Sequence, residues 1–289
     1  MRKISVLLVI MAGSLWGTSG IFATNLRRLG FDSLQMALMR NVVSAVCLWI
    51  YCFSKHRDCI RVSSKKLVLF VLSGLGLYGT GAFYYAAMKA ASISVAVVLM
   101  YLAPVIVMVY SAMFMGEKFT MRKLLAVVGA LVGTALVTGA IGGVKLSLYG
   151  IALGLMSGIS YSLYNICVKY EMKRGDQPLI AAAFCFLVAA VVSVALGKPV
   201  DTFSKICMNF NEVIPWALSV GVVTSVVPYI VYTYAMKHLD AGVATTLGSV
   251  EPMVATVISV ALYGEIISLN SYLGIFLILA SVVLLSTKQ

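Results

Sequence analysis

The chain has 289 residues, of which 61% are hydrophobic and only 11% charged, whereas a soluble domain carries roughly 25% charged residues. That balance excludes a soluble globular domain and reads as an integral membrane protein. The net charge of +12 would suit nucleic acid, so the distribution of the charges along the chain has to decide its meaning.

A bilayer core takes about 20 apolar residues per helix. Ten such runs lie near 4–24, 34–54, 66–88, 92–115, 121–141, 148–170, 179–197, 213–236, 242–264 and 270–287. They are continuous rather than alternating, which argues against a β-barrel, and the loops between them are too short for a separate soluble domain. With the N-terminus cytoplasmic, the inner segments carry Arg2, Lys3, Lys55, Arg57, Arg61, Lys65, Lys66, Lys118, Arg122, Lys123, Lys169, Lys173, Arg174, Lys237 and Lys288. The outer segments carry only Arg27, Arg28, Lys89, Lys145, Lys198 and Lys205. This asymmetry predicts both termini on the cytoplasmic side. The basic excess is topological information, and no nucleic-acid partner is expected.

The first run opens as "MRKISVLLVIMAG", like the basic and apolar parts of a signal peptide, but continues through "SLWGTSGIFAT" to spanning length and reads as a retained helix. The second holds Arg40, the sole basic residue well inside a run. Three roles are open to it: snorkelling to the outer surface, binding a substrate carboxylate, or pairing with a charge that holds two helices in one transport state. The third carries "GLGLYGTG" at 74–81 and the fifth "GALVG" at 129–133, small surfaces that let helices approach and slide. Neither has the spacing of a phosphate loop. Pro104 in the fourth run and Pro228 in the eighth are interior prolines, whereas Pro178, Pro199 and Pro215 fall at run ends.

The ninth run contains "TLGSVEPMV" at 246–254. Glu251 is its tenth residue, about 15 Å along at 1.5 Å per residue, and the other nine acids sit in loops or at helix ends. An uncompensated charge at that depth costs roughly 2.5–3.5 kcal/mol, so Glu251 faces a cavity, pairs with a cation or takes a proton. Burial favours the neutral carboxyl and a bound cation the charged one, a basis for exchanging a proton with a cationic group. The alternative is a static hydrogen bond to a neighbouring helix. Pro252 removes one helical hydrogen bond and frees a carbonyl near Leu247 and Gly248. Such a site is either a fixed packing kink or an opening onto a wet cavity. The six cysteines, Cys47, Cys52, Cys59, Cys167, Cys185 and Cys207, show no C-x-x-C spacing and read as reduced thiols rather than a disulfide or metal framework. No metal site and no cofactor are expected.

Residues 84–117, "YYAAMKAASISVAVVLMYLAPVIVMVYSAMFMGE", lie without a gap over residues 232–265, "YTYAMKHLDAGVATTLGSVEPMVATVISVALYGE". Lys89 falls on Lys237, Pro104 on Pro252 and Glu117 on Glu265. The chain reads as a duplicated five-helix unit, 1–145 and 146–289. Five is odd, so the second copy enters the membrane from the opposite side: an all-α membrane fold of ten transmembrane helices in two inverted repeats. Inverted repeats suit alternating access to a central site.

"AGSLWGTSGIFA", "MALMRNVVSAV", "YLAPVIVMVYSAMFMGEKFT" and "LGSVEPMVATVISVALYGE", in that order, resemble the EamA group of the drug/metabolite transporter superfamily across essentially the whole chain. The resemblance implies helices 3, 4, 8 and 9 around a substrate cavity. Aromatic and hydroxyl residues gather where that cavity would lie, so Trp16, Tyr78, Tyr101, Tyr161, Tyr229 and Ser249 join Glu251 as expected substrate-binding residues. Glu251, Arg40, Pro104 and Pro252 are the expected gating or coupling residues. Tyr84, Tyr85 and Tyr234, nearer helix ends, read as interface anchors, and packing with a satisfied hydroxyl is the alternative for each deeper tyrosine. The sixth helix, "GLMSGISYSLYNI", lacks the Trp-Gly pair of the first, so a role for Trp16 does not copy to it.

These features favour a secondary transporter in the plasma membrane for a small amphipathic metabolite, an amino acid, amine or derivative, working by alternating access with proton coupling as an option. Its partners would be that substrate, membrane lipid and protons, with homodimer formation left open. Carriers of quaternary amines or of lipid or sugar conjugates are the runners-up. A membrane enzyme would need convergent catalytic groups, yet His56 and His238 lie in loops and no acid pair or nucleophile-base set falls within the runs. A structural membrane protein would bury its polar residues statically.

Overall fold

The structure, a computed structural model, describes residues 1–55, 63–140, 147–264 and 268–286, and among these every regular element is helical. His56, Arg57, Cys59, Arg61, Lys145, Glu265 and Lys288 lie outside the described residues. The helices are α1 (Arg2–Gly17), α2 (Ser19–Arg28), α3 (Ser33–Lys55), α4 (Ser64–Ala90), α5 (Ile93–Met100), α6 (Ala103–Phe114), α7 (Met121–Val137) and α8 (Leu148–Lys173). They continue with α9 (Pro178–Leu196), α10 (Pro199–Met208), α11 (Phe210–Gly221), a π-helical turn at Val222–Val226, α12 (Val227–Ala235), α13 (Ala241–Leu247), α14 (Val250–Tyr263) and α15 (Leu269–Ser286).

Nine stretches among the described residues are long and apolar enough to cross a membrane: Arg2–Arg28, Ser33–Lys55, Lys66–Ala90, Ile93–Phe114, Leu148–Lys173, Pro178–Leu196, Phe210–Ala235, Ala241–Leu262 and Leu269–Ser286. The run expected at 121–141 forms only the 17 residues of α7, the short end of spanning length. Large apolar side chains such as Leu7, Ile50, Val109, Val191 and Val283 point outward, while Gln35, Asn41, Ser44 and Asn165 are buried. Lipid on the outside and paired polar groups within account for that inversion. Asn41 donates to Ser193 Oγ at 2.9 Å and Ser44 to Gly221 O at 3.0 Å.

Four of the crossings are interrupted, each for a local reason. Thr18 separates α1 from α2 and turns its hydroxyl back onto Leu15 O at 2.7 Å. The fourth crossing breaks at Tyr101–Leu102 and the ninth at Gly248–Ser249, 148 residues apart to within one position. Pro104 and Pro252 sit in the first turns of α6 and α14, where a missing N–H leaves nothing unpaired. The Gly248 carbonyl, which a continuous helix would offer to residue 252, accepts the Glu251 N–H at 3.1 Å instead. Pro228 follows the π-helical turn in the same way at the start of α12. Pro215, expected at a helix end, lies inside α11. That helix starts earlier, at Phe210, with Glu212 in its first turn, where the helix dipole favours an acid.

Packing joins elements from before and after the middle of the chain. α4 runs along α8, α1 along α12, α3 along α9 and α7 along α15, and α6 meets α13. A shift of 148 residues carries α1 onto α8 and α4 onto α11 and α12, so the α1–α12 and α4–α8 contacts are counterparts. Small residues permit these approaches: a Cβ on Gly133 would lie 2.8 Å from Gly274 O, and one on Gly17 2.8 Å from both Glu251 O and Val254 Cβ.

Candidate functional site at the paired helix breaks

The two interrupted helices meet. Tyr101 ends α5 as its C-cap and Glu251 is the second residue of α14, and the Tyr101 hydroxyl donates to Glu251 Oε2 at 2.9 Å. Placement in the first turn of a 14-residue helix sets the carboxylate against the positive end of the helix dipole, a compensation that a continuous helix would not supply. Tyr101 is buried, and Glu251 beside it is half-buried. α1 lies against the break through Gly13 and Gly17, whose Cβ positions would fall 3.2 Å from Gly248 O and 2.8 Å from Glu251 O.

Aromatic rings form the adjoining wall. Trp16 meets Tyr229 edge-on at 5.2 Å and Tyr232 at 5.3 Å, and Tyr229 also contacts Tyr164 at 5.6 Å and Phe186 at 5.1 Å. Tyr232 donates to Asn165 Oδ1 at 2.5 Å, and Asn165 Nδ2 donates to Tyr161 O at 2.7 Å. The Tyr161 hydroxyl sits 3.7 Å from where a Gly248 Cβ would be. The Trp16 indole N–H is buried without an acceptor. Most of the wall is thus fixed by ring contacts and one Tyr–Asn chain, leaving the Glu251 carboxylate and the Trp16 N–H as groups with spare hydrogen-bonding capacity.

Arg40 is half-buried on α3. Its Nε reaches Asn41 Oδ1 at 3.4 Å and one terminal nitrogen lies 4.0 Å from a Cβ position on Gly81. It is within electrostatic range of Glu251 and Tyr229, yet it belongs to none of the ion pairs among the described residues. Ser249 is buried at the N-cap of α14. Tyr78 is half-buried against the main hydrophobic cluster, apart from the Glu251 contacts. Tyr84, read from sequence as an interface anchor, is within electrostatic range of both Glu251 and Tyr101. The shift of 148 places Tyr84 on Tyr232, a residue of the aromatic wall.

Residues 3–139 and 148–287 each match the EamA-like transporter family. The chain belongs to that family. It is 28% identical to an uncharacterized transporter of Archaeoglobus fulgidus over 276 residues, 96% of this chain and 94% of that protein. It is 24% identical to the uncharacterized transporter YwfM of Bacillus subtilis, covering 97% and 93% of the two chains. A solved crystal structure shares the fold with a TM-score of 0.78 at 19% identity, covering 98% of this chain and 96% of the other.

In this EamA-like protein a second charged group closes one end of the bundle, around a cleft of about 400 Å³ lined by Glu117, Lys118, Lys169, Lys173 and Asp240. Glu117 accepts the Ala241 N–H at 2.9 and 3.1 Å, capping α13, and lies 3.9 Å from Lys169 Nζ. Lys169 also donates to Met236 O at 2.9 Å and to Leu239 O, Lys173 to Met115 O at 2.6 Å, and Lys123 pairs with Asp240 at 2.5 Å. Burial pushes the Glu117 carboxyl above its ordinary range, against the opposing pull of the Ala241 N–H. A cleft of about 510 Å³ at the opposite end is lined by Asn25, Arg28, Asn211, Glu212 and Trp216, among others. Neither cleft includes Glu251, whose surroundings are defined by the contacts above.

Proposed function

We propose that this EamA-like protein is a secondary active transporter in the plasma membrane, carrying a small amphipathic metabolite with an ammonium group, such as an amino acid, amine or derivative. The hydrogen bond between Tyr101 and Glu251 carries the reading, because it joins the breaks of two discontinuous helices at corresponding places in the two halves of the chain. Discontinuous helices at such positions are where membrane carriers bind substrate. Glu251 is the ammonium ligand, the Trp16, Tyr229 and Tyr161 surfaces receive the apolar part and the cation's field, and Arg40 takes a carboxylate when the substrate has one. Tyr101 holds the Glu251 carboxylate until substrate arrives, and a proton on Glu251 replaces the substrate on the return step.

The carrier works by alternating access between halves 1–145 and 146–289, ten helices in two inverted repeats with α7 as the tenth, both termini cytoplasmic. The matched α1–α12 and α4–α8 contacts and the position of α7 beside α15 support that arrangement. A thermal-shift screen of purified protein with amino acids, amines, quaternary amines and organic acids, followed by liposome flux with any hit, is the test. Stabilisation and flux by ammonium-bearing compounds are expected. Stabilisation by organic acids alone would reverse the assignment of Glu251 as the ligand.

A further inference from the structure

Near the end of α8 a carboxyl group lies outside the site around Glu251. Glu171 has 0% of its surface exposed, and neither of its oxygens has a hydrogen-bond partner. Ser73 faces it from α4, but that hydroxyl donates to Phe70 O at 3.0 Å. The other titratable neighbours are the thiols of Cys167 on α8 itself and Cys185 on α9, together with Asp176 just beyond the helix. Asp176 is also buried. Its Oδ1 pairs with Lys66, while its Oδ2 has no partner. Among the described residues the cluster therefore contains two carboxylates and one ammonium, and Lys66 is already committed.

A carboxylate stripped of water with no counter-charge is strongly disfavoured. Among the described residues one unit of positive charge is missing, and no side chain described near Glu171 supplies it. Close packing borders the place: a Cβ on Gly74, next to Ser73, would lie 2.7 Å from Cys185 O, so α4 and α9 are in tight contact beside it. We infer that Glu171, with Asp176 Oδ2 and Ser73, forms a site for a single small monovalent cation, H⁺ or Na⁺, separate from the substrate site. A site sealed between α4, α8 and α9 exchanges its cation only when those helix ends part, so occupancy is linked to the conformation of the carrier. The inference goes beyond the role given to Glu251 and does not depend on it.

The test is thermal unfolding of the purified full chain in two series, sodium exchanged for potassium at constant ionic strength, and pH varied in potassium alone. Wild type is expected to gain on the order of 2–4 °C or more from the bound cation. A gain with sodium assigns Na⁺. A gain only as pH falls assigns H⁺, since the folded state then binds the extra proton. Glu171→Gln should abolish a sodium response and reduce a gain on acidification, with Glu117 supplying the remainder, Asp176→Asn should weaken either response, and Glu251→Gln should keep a sodium response. Identical responses in wild type and Glu171→Gln would overturn the site, as would a response lost in Glu251→Gln but kept in Glu171→Gln. If Glu171→Gln fails to fold, the wild-type series and Asp176→Asn decide: no response to either cation, or a full response in Asp176→Asn, refutes it.

Discussion

Replacing Glu251 by Gln isolates the chemistry proposed for the helix breaks. The amide is nearly isosteric, and the Tyr101 hydroxyl, 2.9 Å from Oε2, can still donate to its carbonyl oxygen, so the fold should persist. The charge at the start of α14 disappears, and with it the charge-assisted bond to a substrate ammonium. Removing one partner of such a desolvated pair costs about 2–5 kcal/mol, which at 1.4 kcal/mol per tenfold is a loss of about 30-fold to a few thousand-fold in affinity. Flux would be measured in liposomes with and without an imposed pH gradient, at matched reconstitution. The variant should bind ammonium substrates weakly and lose its response to the gradient, and Glu251→Asp should show a partial defect because the charge remains but its reach shortens. Equal and equally gradient-sensitive flux in wild type and Glu251→Gln would refute the reasoning and leave Glu251 as a static partner of Tyr101.

Arg40→Lys should impair transport although charge is preserved, since the planar fork is lost; unchanged flux in both Arg40→Lys and Arg40→Gln would assign Arg40 to snorkelling or packing. Gly17→Ala places a methyl 2.8 Å from Glu251 O and Val254 Cβ and should destabilise by about 1–3 kcal/mol, seen as a lower unfolding temperature, with an unchanged temperature refuting the tight α1–α14 contact. A single cysteine at Lys205, in a cysteine-free background, should be labelled from outside, and labelling only from the cytoplasmic face would invert the orientation. The raised Glu117 carboxyl means the folded state holds a proton that the unfolded chain releases above its ordinary value of 4.5. Stability should therefore fall as pH rises from there through the raised value, and Glu117→Gln should lack that slope in pH-dependent unfolding.

Helix class and the membrane-crossing character were legible in the sequence because the apolar runs are long and their loops short. Helix interruptions were less legible. Pro104 and Pro252 signalled bends, but a proline in a run marks equally a kinked helix or the first turn of a new one, and the backbone hydrogen bond from Glu251 to Gly248 decides for the latter. Glu251 stood out as a deep acid, whereas its partner Tyr101 was one tyrosine among many, since a contact across 150 residues leaves no local pattern. Tyr84 stands near a helix end in sequence, and that position alone does not reveal its nearness to Glu251 and Tyr101. Glu171 was passed over as an acid at a helix end, because proximity to an end in sequence does not reveal that neighbouring helices cover it completely.

The protein has three tryptophans, and their indole nitrogens are in different circumstances. Trp49 donates to Ala183 O at 3.1 Å, whereas Trp16 is buried with its N–H unoccupied beside Tyr229 and Tyr232. Indole emission responds to hydrogen bonding and local polarity, so Trp16 is a native optical reporter placed among the aromatic rings beside the helix breaks. In a Trp49→Phe, Trp216→Phe background, a ligand oxygen that reaches the Trp16 N–H should move the emission to longer wavelength, and excitation transfer from Tyr229 and Tyr232 should change as the wall shifts. Occupancy and turnover would then be followed in the unlabelled carrier, in real time, by light alone.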